Sequence, residues 1–501
     1  MISLKGGNGQ WCEDVSKLKQ MAREFFQNLY QDVGEVTDPA LSLNFPRGSL
    51  LSETQLLTIL RPVSEEEIRK VIFAMSLYKA PGGDGLQAKF FQADWSIVGK
   101  SVCDFILAAF RDGKFDRRIN ETLLCIIPKV DHPEVINQFR PISLCNVVVK
   151  TISKIMVSRL RPHLTDLVSP TQSSFIPGRG CHDNIIVVQE AIHSFKKIKS
   201  KSGFFMMKVD LEKAYDRLNW DFLRWVLMDI GLPTNWISLI MFSVTNSDFS
   251  LLWNGKKLDP FTPAQGVRQG DPLSPYLFAL CLERFSQIIE NAVTDKRWIP
   301  FNITRHMLAL SHVFFTDDLI LFGSATAENI MYIMECLNMF CRFSGQRVNS
   351  NKSKLYFSAN TQPNNIADVC RISNMEATND LGKHLGVTLH TQRVTKTTFH
   401  DLISRMKARL SQWKASQLSL AGRHILVQSV TSTLANHAMQ CVKIPAGVCD
   451  AIDQVQRNFL WGGTNENRKP ALVKWSTVCT PKKPGRTGHP RFTFDGQSTS
   501  R

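Results

Sequence analysis

The sequence predicts an α+β fold, and three observations carry that expectation. Short apolar runs bounded by polar residues recur at 122–130, 204–209 and 313–322, too brief for helices and suited to buried strands. Before and after them lie segments with apolar residues at helical spacing, such as 15–29 and 327–343. From Thr395 to about Phe459, amphipathic helical patterns alternate with Arg405, Lys407, Arg409, Lys414 and Arg423, which predicts a separate helical, basic unit.

Taken in order, the first helix is expected in DVSKLKQMAREFFQNLYQ (14–31), with an apolar stripe through Val15, Leu18, Met21, Phe25 and Leu29 and Asp14 as cap. PVSEEEIRKVIFAMSLYKAPGGDGL (62–86) predicts a helix capped by Ser64, with Glu67 at capping-box spacing and a break at Pro81–Gly85. TLLCIIPKV (122–130) reads as a strand ending in Lys129, INQFRPISLCN (136–146) as an irregular loop carrying Arg140, and 147–160 as a helix. A strand from Phe204 to Val209 delivers Asp210 at its end, and a helix is expected to run on to Gly231 and Pro233. FSLLWNGKKL (249–258) has the pattern of a hairpin turning at Asn254-Gly255. Helices follow GVRQGDPLSPYLF, to about Val293, and span about Ala327 to Phe343.

A chain of 501 residues is long enough for a large core and for several units, at about 100 to 200 residues per domain. Hydrophobic residues make up 43% and charged residues 21%, a globular rather than a disordered composition, and no run approaches the roughly 18 apolar residues of a membrane span. The first residues carry no signal-peptide apolar core, so an intracellular protein is expected. A net charge of +16 argues for a polyanionic partner, nucleic acid first. The twelve cysteines include no CxxC pair, which speaks for reduced thiols rather than a disulfide framework or a zinc site.

In SHVFFTDDLILFG (311–323), Asp317 and Asp318 are expected at the bend between two buried strands. Asp-Asp is poor turn chemistry, because the favoured two-residue turns need the positive φ that glycine adopts at little cost. Together with Asp210, another strand-end carboxylate, the pair has the chemistry of a two-metal phosphoryl-transfer centre: hard Mg²⁺ takes oxygen ligands, and two ions roughly 3.5 to 4 Å apart can flank an in-line displacement.

The motifs VDLEKAYDRLNW, GVRQGDPLSPYLF, FFTDDLILF and VNSNKSKL, in this order, resemble the successive palm motifs of reverse transcriptases, closest in wording to plant non-LTR (LINE-type) retrotransposon polymerases. LYKAPGGDGL, IPKV, FRPISLCN and SSFIPGRGCHDNI resemble that family's more N-terminal blocks, so the resemblance runs from about Trp11 to about Lys483. It implies a right-hand polymerase of fingers, palm with antiparallel sheet, and helical thumb, and the activity of an RNA-directed DNA polymerase. The implied metal ligands are Asp210, Asp317 and Asp318, holding two Mg²⁺ ions, with Mn²⁺ as a substitute. Tyr215 matches the bulky residue that excludes a ribose 2′-hydroxyl. Lys129 and Arg140 match fingers residues on the incoming triphosphate. Gln269 matches a residue lining the nucleotide pocket, where Gly270 allows close backbone approach. Lys352 matches the palm lysine proposed as general acid toward pyrophosphate. KHLGV, Lys383 to Val387, resembles the primer-gripping turn. Thr316 stands where alanine is usual, Gly83 where proline is usual and Val149 where an aromatic is common.

The implied organisation is a helical connecting segment (1–60), an N-terminal extension of the fingers (61–121), the catalytic core (122–390), a helical thumb (391–460) and a post-thumb segment (461–501). The implied partners are an RNA template, a DNA primer, their RNA–DNA hybrid and dNTPs, with no membrane and action in the nucleus. The chain begins inside what resembles the family's connecting segment, without the endonuclease of full elements. GRTGHPR, Gly485 to Arg491, stands where the family pattern continues Gly-Gly-Leu-Gly-Ile-Arg-Asp, and the two peptides are compatible with one DNA string read in adjacent frames. A frameshift near Gly485 with a disordered tail is therefore expected. Two other readings are a catalytically silent nucleic-acid-binding relic and a group II intron maturase relative, the latter disfavoured by the RQGDPLSPYLF and KAPGGDG wording.

Overall fold

A five-stranded sheet organises the larger part of the chain, in the order Glu376–Ala377, Lys354–Phe357, Phe204–Asp210, Asp318–Ser324 and His312–Phe315. Its neighbours are antiparallel except for the edge pair of Lys354–Phe357 with Glu376–Ala377. Phe205, Met206, Met207 and Val209 in the central strand, and Leu319 to Phe322 beside it, are all buried. Both faces of this sheet are covered, which is why these strands read as continuous apolar runs rather than as alternating ones. The long helices Ser274–Thr294 and Ala327–Ser344 belong to the same core, where Phe285 stacks on Phe314 of the sheet (5.4 Å, 10°) and on Phe340 (4.9 Å, 18°).

The computed structural model describes residues 3–6, 9–31, 48–198, 203–303, 309–391, 397–410, 417–442, 444–462 and 470–479. Lys414 and the expected frameshift near Gly485 lie outside these residues. Among the described residues, no helix is long and apolar enough to cross a membrane. The chain divides into two units, 1–179 with 198–378, and 180–197 with 379–501.

In the first unit a second sheet runs Phe139–Leu144, Thr122–Pro128, Phe249–Trp253 and Lys256–Lys257. The N-terminal helix, Val15–Gln31, packs on it: Leu18, Ala22, Phe26, Leu29 and Tyr30 share an apolar cluster with Leu124, Phe139, Phe249 and Trp253. The buried stripe is thus displaced from the expected one, with Val15 exposed, although Asp14 does cap the helix through Ser16 N–H (2.8 Å). The segment expected as a connector is part of the core at this helix.

Other departures have local causes. Arg140 lies in a strand, not an irregular loop, because 139–144 pairs antiparallel along Thr122–Pro128. The helix expected after Asp210 is two, Ala214–Arg217 and Trp220–Asp229, since Asn219 leaves helical geometry to cap Phe222 N–H (2.8 Å) and donates its own N–H to the Ser344 carbonyl (2.9 Å). Ser64 caps its helix, which ends at Phe73, well short of the expected break. Glu67 makes no capping box: its carboxylate pairs with the buried Arg159 guanidinium (2.6 and 3.1 Å), a charge that must be matched when it leaves water. The Asn254-Gly255 hairpin forms as expected, with both residues at positive φ.

The second unit is mostly helical, with Cys181–Phe195, His400–Arg409, Leu420–Leu426, Ser432–Cys441 and Ala446–Trp461, and a small hairpin at Lys383–Thr388. Phe399, Leu402, Met406, Val448 and Ile452 form one of its apolar clusters. Its span differs from the one expected, because 181–195 is tied to the hairpin region by Asn184 with His384 (2.8 Å) and Gln189 with His390.

Candidate active site

The site is built where the central strand ends. Asp210 closes that strand, and its backbone is held on both sides: its N–H donates to Ser353 Oγ (3.1 Å) and its carbonyl accepts from Asn349 N–H (2.9 Å). On the neighbouring hairpin, Phe315 pairs with Asp318, so the two turn residues are Thr316 and Asp317. Asp318 is therefore the first residue of the next strand rather than part of the bend, and it stands opposite Asp210 in register.

Asp210 and Asp317 line one open cleft of about 1480 Å³, together with Lys129, Arg140, Tyr215, Gln269, Gly270 and Lys352. Of the residues given metal-holding, nucleotide-contacting or proton-donating roles from the sequence, the structure brings all but Asp318 into the lining of this cleft. Burial pushes the Asp210 carboxyl up, with Lys352 and Lys129 opposing and Asp317 and Glu212 adding to the rise. Asp318 is raised for the same leading reason, helped by its two aspartate neighbours and opposed by Lys208. Lys129 is lowered by burial and by the cations Arg140 and Lys352, against the pull of Asp216 and Asp210. Carboxylates such as Asp210 and Asp317 and cations such as Lys129, Arg140 and Lys352 in one cleft suit a ligand that brings both phosphate charge and metal ions.

Further residues complete the site that the sequence did not mark. Lys213 sits in left-handed geometry (φ +47) between Asp210 and the short helix, with its ammonium 4.7 Å from the Phe25 ring centre and 5.5 Å from that of Phe26. Burial lowers it to about 8 in spite of Asp216 nearby. Tyr215 stacks on Phe278 (4.8 Å, 20°), and burial raises its phenol far above the ordinary value. Asp216 is fully buried and accepts from Tyr30 Oη (2.7 Å) and from Gln269 Nε2 (2.9 and 3.0 Å). The signal that could have found it is the charge itself: an aspartate one residue after Tyr215 lies on a helix whose Ala214 is also buried.

The loop carrying Gln269 is fixed by its neighbours. Buried Arg268 pairs with Asp271 (2.7 Å) and donates to Asn120 Oδ1 (2.7 Å) and Ser243 Oγ (2.8 Å), so it anchors the loop while Gln269 reaches the cleft. Two glycines are required here. A Cβ at Gly266 (φ +87) would stand 2.5 Å from the Asp216 carbonyl oxygen, and one at Gly270 (φ +122) 2.7 Å from that of Ser143.

Residues 127–389 match the reverse transcriptase (RNA-dependent DNA polymerase) family, and the chain belongs to that family. The mixed fold with its central sheet is that of a right-hand polymerase. Among its relatives are an uncharacterised 149 kDa protein of transposon TX1 from Xenopus laevis, 24% identical over 91% of this chain and 34% of that protein, and the Pol polyprotein of type-2 retrotransposable element R2DM from Drosophila melanogaster, 26% identical over 86% of this chain and 39% of that protein. A putative ribonuclease H protein of Arabidopsis thaliana is 42% identical over 19% of this chain and 16% of its own length. The chain therefore spans well under half the length of these relatives. A Candida tropicalis telomerase structure aligns at a TM-score of 0.39 and 14% identity, covering 69% of this chain and 57% of that one.

Proposed function

We propose that this chain is the RNA-directed DNA polymerase portion of a non-LTR retrotransposon, extending a primer 3′-end with dNTPs on an RNA template. The observation that carries the reading is the shared cleft: Asp210 and Asp317 line the same space as Lys129, Arg140 and Lys352, and Tyr215 and Gln269 line it too. Arg140 and Lys129 would hold triphosphate oxygens, Arg140 by paired hydrogen bonds and Lys129 as a point charge. Tyr215, held by its stack on Phe278, would bear on the sugar and leave no room for a 2′-hydroxyl. Lys352 would donate a proton to the leaving pyrophosphate.

The residues present fit Mg²⁺. Asp210 and Asp317 offer hard oxygen donors; burial leads the rise of the Asp210 carboxyl, and the smaller part that comes from the Asp317 charge is a repulsion that a bound cation would relieve. Among the described residues no three His, Cys, Asp or Glu side chains form a cage for an ion. Mg²⁺ keeps waters and is commonly held by one or two carboxylates plus substrate phosphates, and Asp210 and Asp317 would serve as those carboxylates. When bound, the ions would supply positive charge to the attacking hydroxyl and the leaving group. In this reading Asp318 supports the hairpin instead of ligating first-hand.

We further propose that this polymerase acts in a plant nucleus, a reading supported by the resemblance to plant elements, by the Arabidopsis thaliana relative and by the nuclear integration of such elements. The test is primer extension on poly(rA) with oligo(dT), dTTP and Mg²⁺, comparing the chain with Asp317→Ala. Extension that falls by about a thousandfold or more in the variant is expected for loss of a metal-holding carboxylate at the reacting centre. A folded wild-type chain that binds the hybrid without extending it would leave the relic reading in its place.

A further inference from the structure

The N-terminal helix reaches the nucleotide side of the cleft through one buried carboxylate. Tyr30 and Asp216 are 0% and 1% exposed, and 186 positions separate them. Tyr30 donates its hydroxyl to Asp216 Oδ1 at 2.7 Å, and Gln269, half-buried in the cleft lining, donates Nε2 to both carboxylate oxygens at 2.9 and 3.0 Å. An ionised carboxylate only accepts, so it dictates which way the Gln269 amide faces: nitrogen inward, with Oε1 left as the acceptor for a ligand.

The backbone around this chain of bonds is equally constrained. The Tyr30 carbonyl accepts from Ala264 N–H (2.9 Å), the Leu29 carbonyl from Gln265 Nε2 (2.9 Å), and the Tyr215 carbonyl from Val267 N–H (2.8 Å). Helix, loop and Asp216 are thus one framed unit. A buried charge is costly, and well-packed apolar residues of similar volume commonly serve stability as well or better. A carboxylate buried at that cost, with its bonds directed at a cleft-lining amide, is the observation that asks for a role beyond packing.

We propose that Tyr30 and Asp216 are positioning residues that orient the Gln269 amide toward a hydrogen-bond donor of the incoming nucleotide, so that the N-terminal helix completes the nucleotide pocket. The inference rests on the polymerase reading above. It makes the N-terminal helix a determinant of nucleotide affinity rather than a spacer.

The experiment measures nucleotide affinity without chemistry, as the dNTP-dependent retention of a dideoxy-terminated primer on its RNA template, alongside extension on a normal primer. Tyr30→Phe removes one hydrogen bond and keeps the ring that packs at 5.0 Å against Phe249. It should weaken nucleotide binding by about three- to tenfold, and Asp216→Asn by about tenfold or more, with binding of the template–primer unchanged. The deciding readout is the double variant: in a Gln269→Ala background, Tyr30→Phe should have no further effect on nucleotide binding, because the group it positions is gone. Additive effects, or a loss of template–primer binding that tracks loss of folding in both single variants, would assign the pair to packing and overturn the inference. Wild-type chain that forms the nucleotide-dependent complex but does not extend would sink the polymerase reading while leaving the cycle readable. Absence of any nucleotide-dependent complex in the wild type would overturn the inference itself.

Discussion

Two hairpins in the first unit turn in two residues and do so in opposite ways. At Asn254-Gly255 both residues have positive φ (+47 and +82), the geometry of a type I′ turn, and both residue types adopt it readily. At Thr316-Asp317 only the first residue has positive φ (+52), a place where hairpins of this kind take glycine, yet a β-branched threonine occupies it. The exposed hairpin has the cheap turn; the one in the cleft has the costly turn. Strain held at a site is maintained by surrounding contacts, and they are visible: Thr316 N–H donates to Ser174 Oγ (2.9 Å), and the one proton of Thr316 Oγ1 is shared between the Phe315 carbonyl (2.7 Å) and Asp317 Oδ1 (2.9 Å). One arm of that shared bond reaches the carboxylate that faces the cleft.

Thr316→Gly breaks this contrast most directly. Relief of left-handed strain should raise stability by about 1 kcal/mol, while loss of the hydroxyl on Asp317 should lower primer extension about tenfold. Chemical denaturation and steady-state extension read the two effects separately. An unchanged rate would mean that the strained residue serves the turn alone.

A smaller effect is expected from acid. Burial pushes Asp216 up to about 6, against the hydrogen bonds from Tyr30 and Gln269 and the charges of Lys213 and Lys129. As pH falls through that value the carboxyl gains a proton, becomes a donor and no longer enforces the Gln269 orientation, so nucleotide affinity should weaken by a few-fold. Stability moves the other way. The folded value lies above the ordinary 3.8, so protonation favours the folded state, and this group's contribution grows as pH falls from about 6 toward 3.8 and is lost as pH rises. Comparing the pH dependence of nucleotide binding in wild type and Asp216→Asn isolates this group from Asp210, which burial also raises. If the acid limb is the same in both, it belongs to another carboxyl.

The smallest effect on activity is expected at the cheap turn. Asn254→Ala places a residue with less tolerance for positive φ in an exposed hairpin, and should cost about 1 kcal/mol of stability while extension stays within about twofold. A large fall in extension would mean that this hairpin also serves the substrate.

A third two-residue turn, Leu385-Gly386 in the second unit, extends the comparison, since it too takes positive φ at both positions (+50 and +84) with a bulky residue first. It is the segment that resembles a primer-gripping turn. From Asn254-Gly255 the turn could be read directly, because the residue types name the geometry. From Thr316-Asp317 it could not, because local preference argues against the conformation adopted and only the bonds to Ser174 and Asp317 explain it. The same distinction separates the other readings. The strand ending at Asp210 and the helix beginning at Val147 follow from apolar spacing within one element. The pairing of Glu67 with Arg159 overrode a local capping pattern because the charge needing compensation lay 92 positions away.

By itself the sequence determined the chemistry available to the site: carboxylates at strand ends, cations in the preceding segments, an aromatic and an amide in the following motifs, each expressed in residue type and short-range spacing. Tertiary structure alone decided which carboxylates face the cleft, that Asp318 enters the strand, and that Tyr30 meets Asp216 and Asp216 meets Gln269 across 186 and 53 positions. The physical reason is that periodicity and turn preference act within a few residues, whereas a buried charge takes its partners from whatever the fold brings within hydrogen-bonding distance.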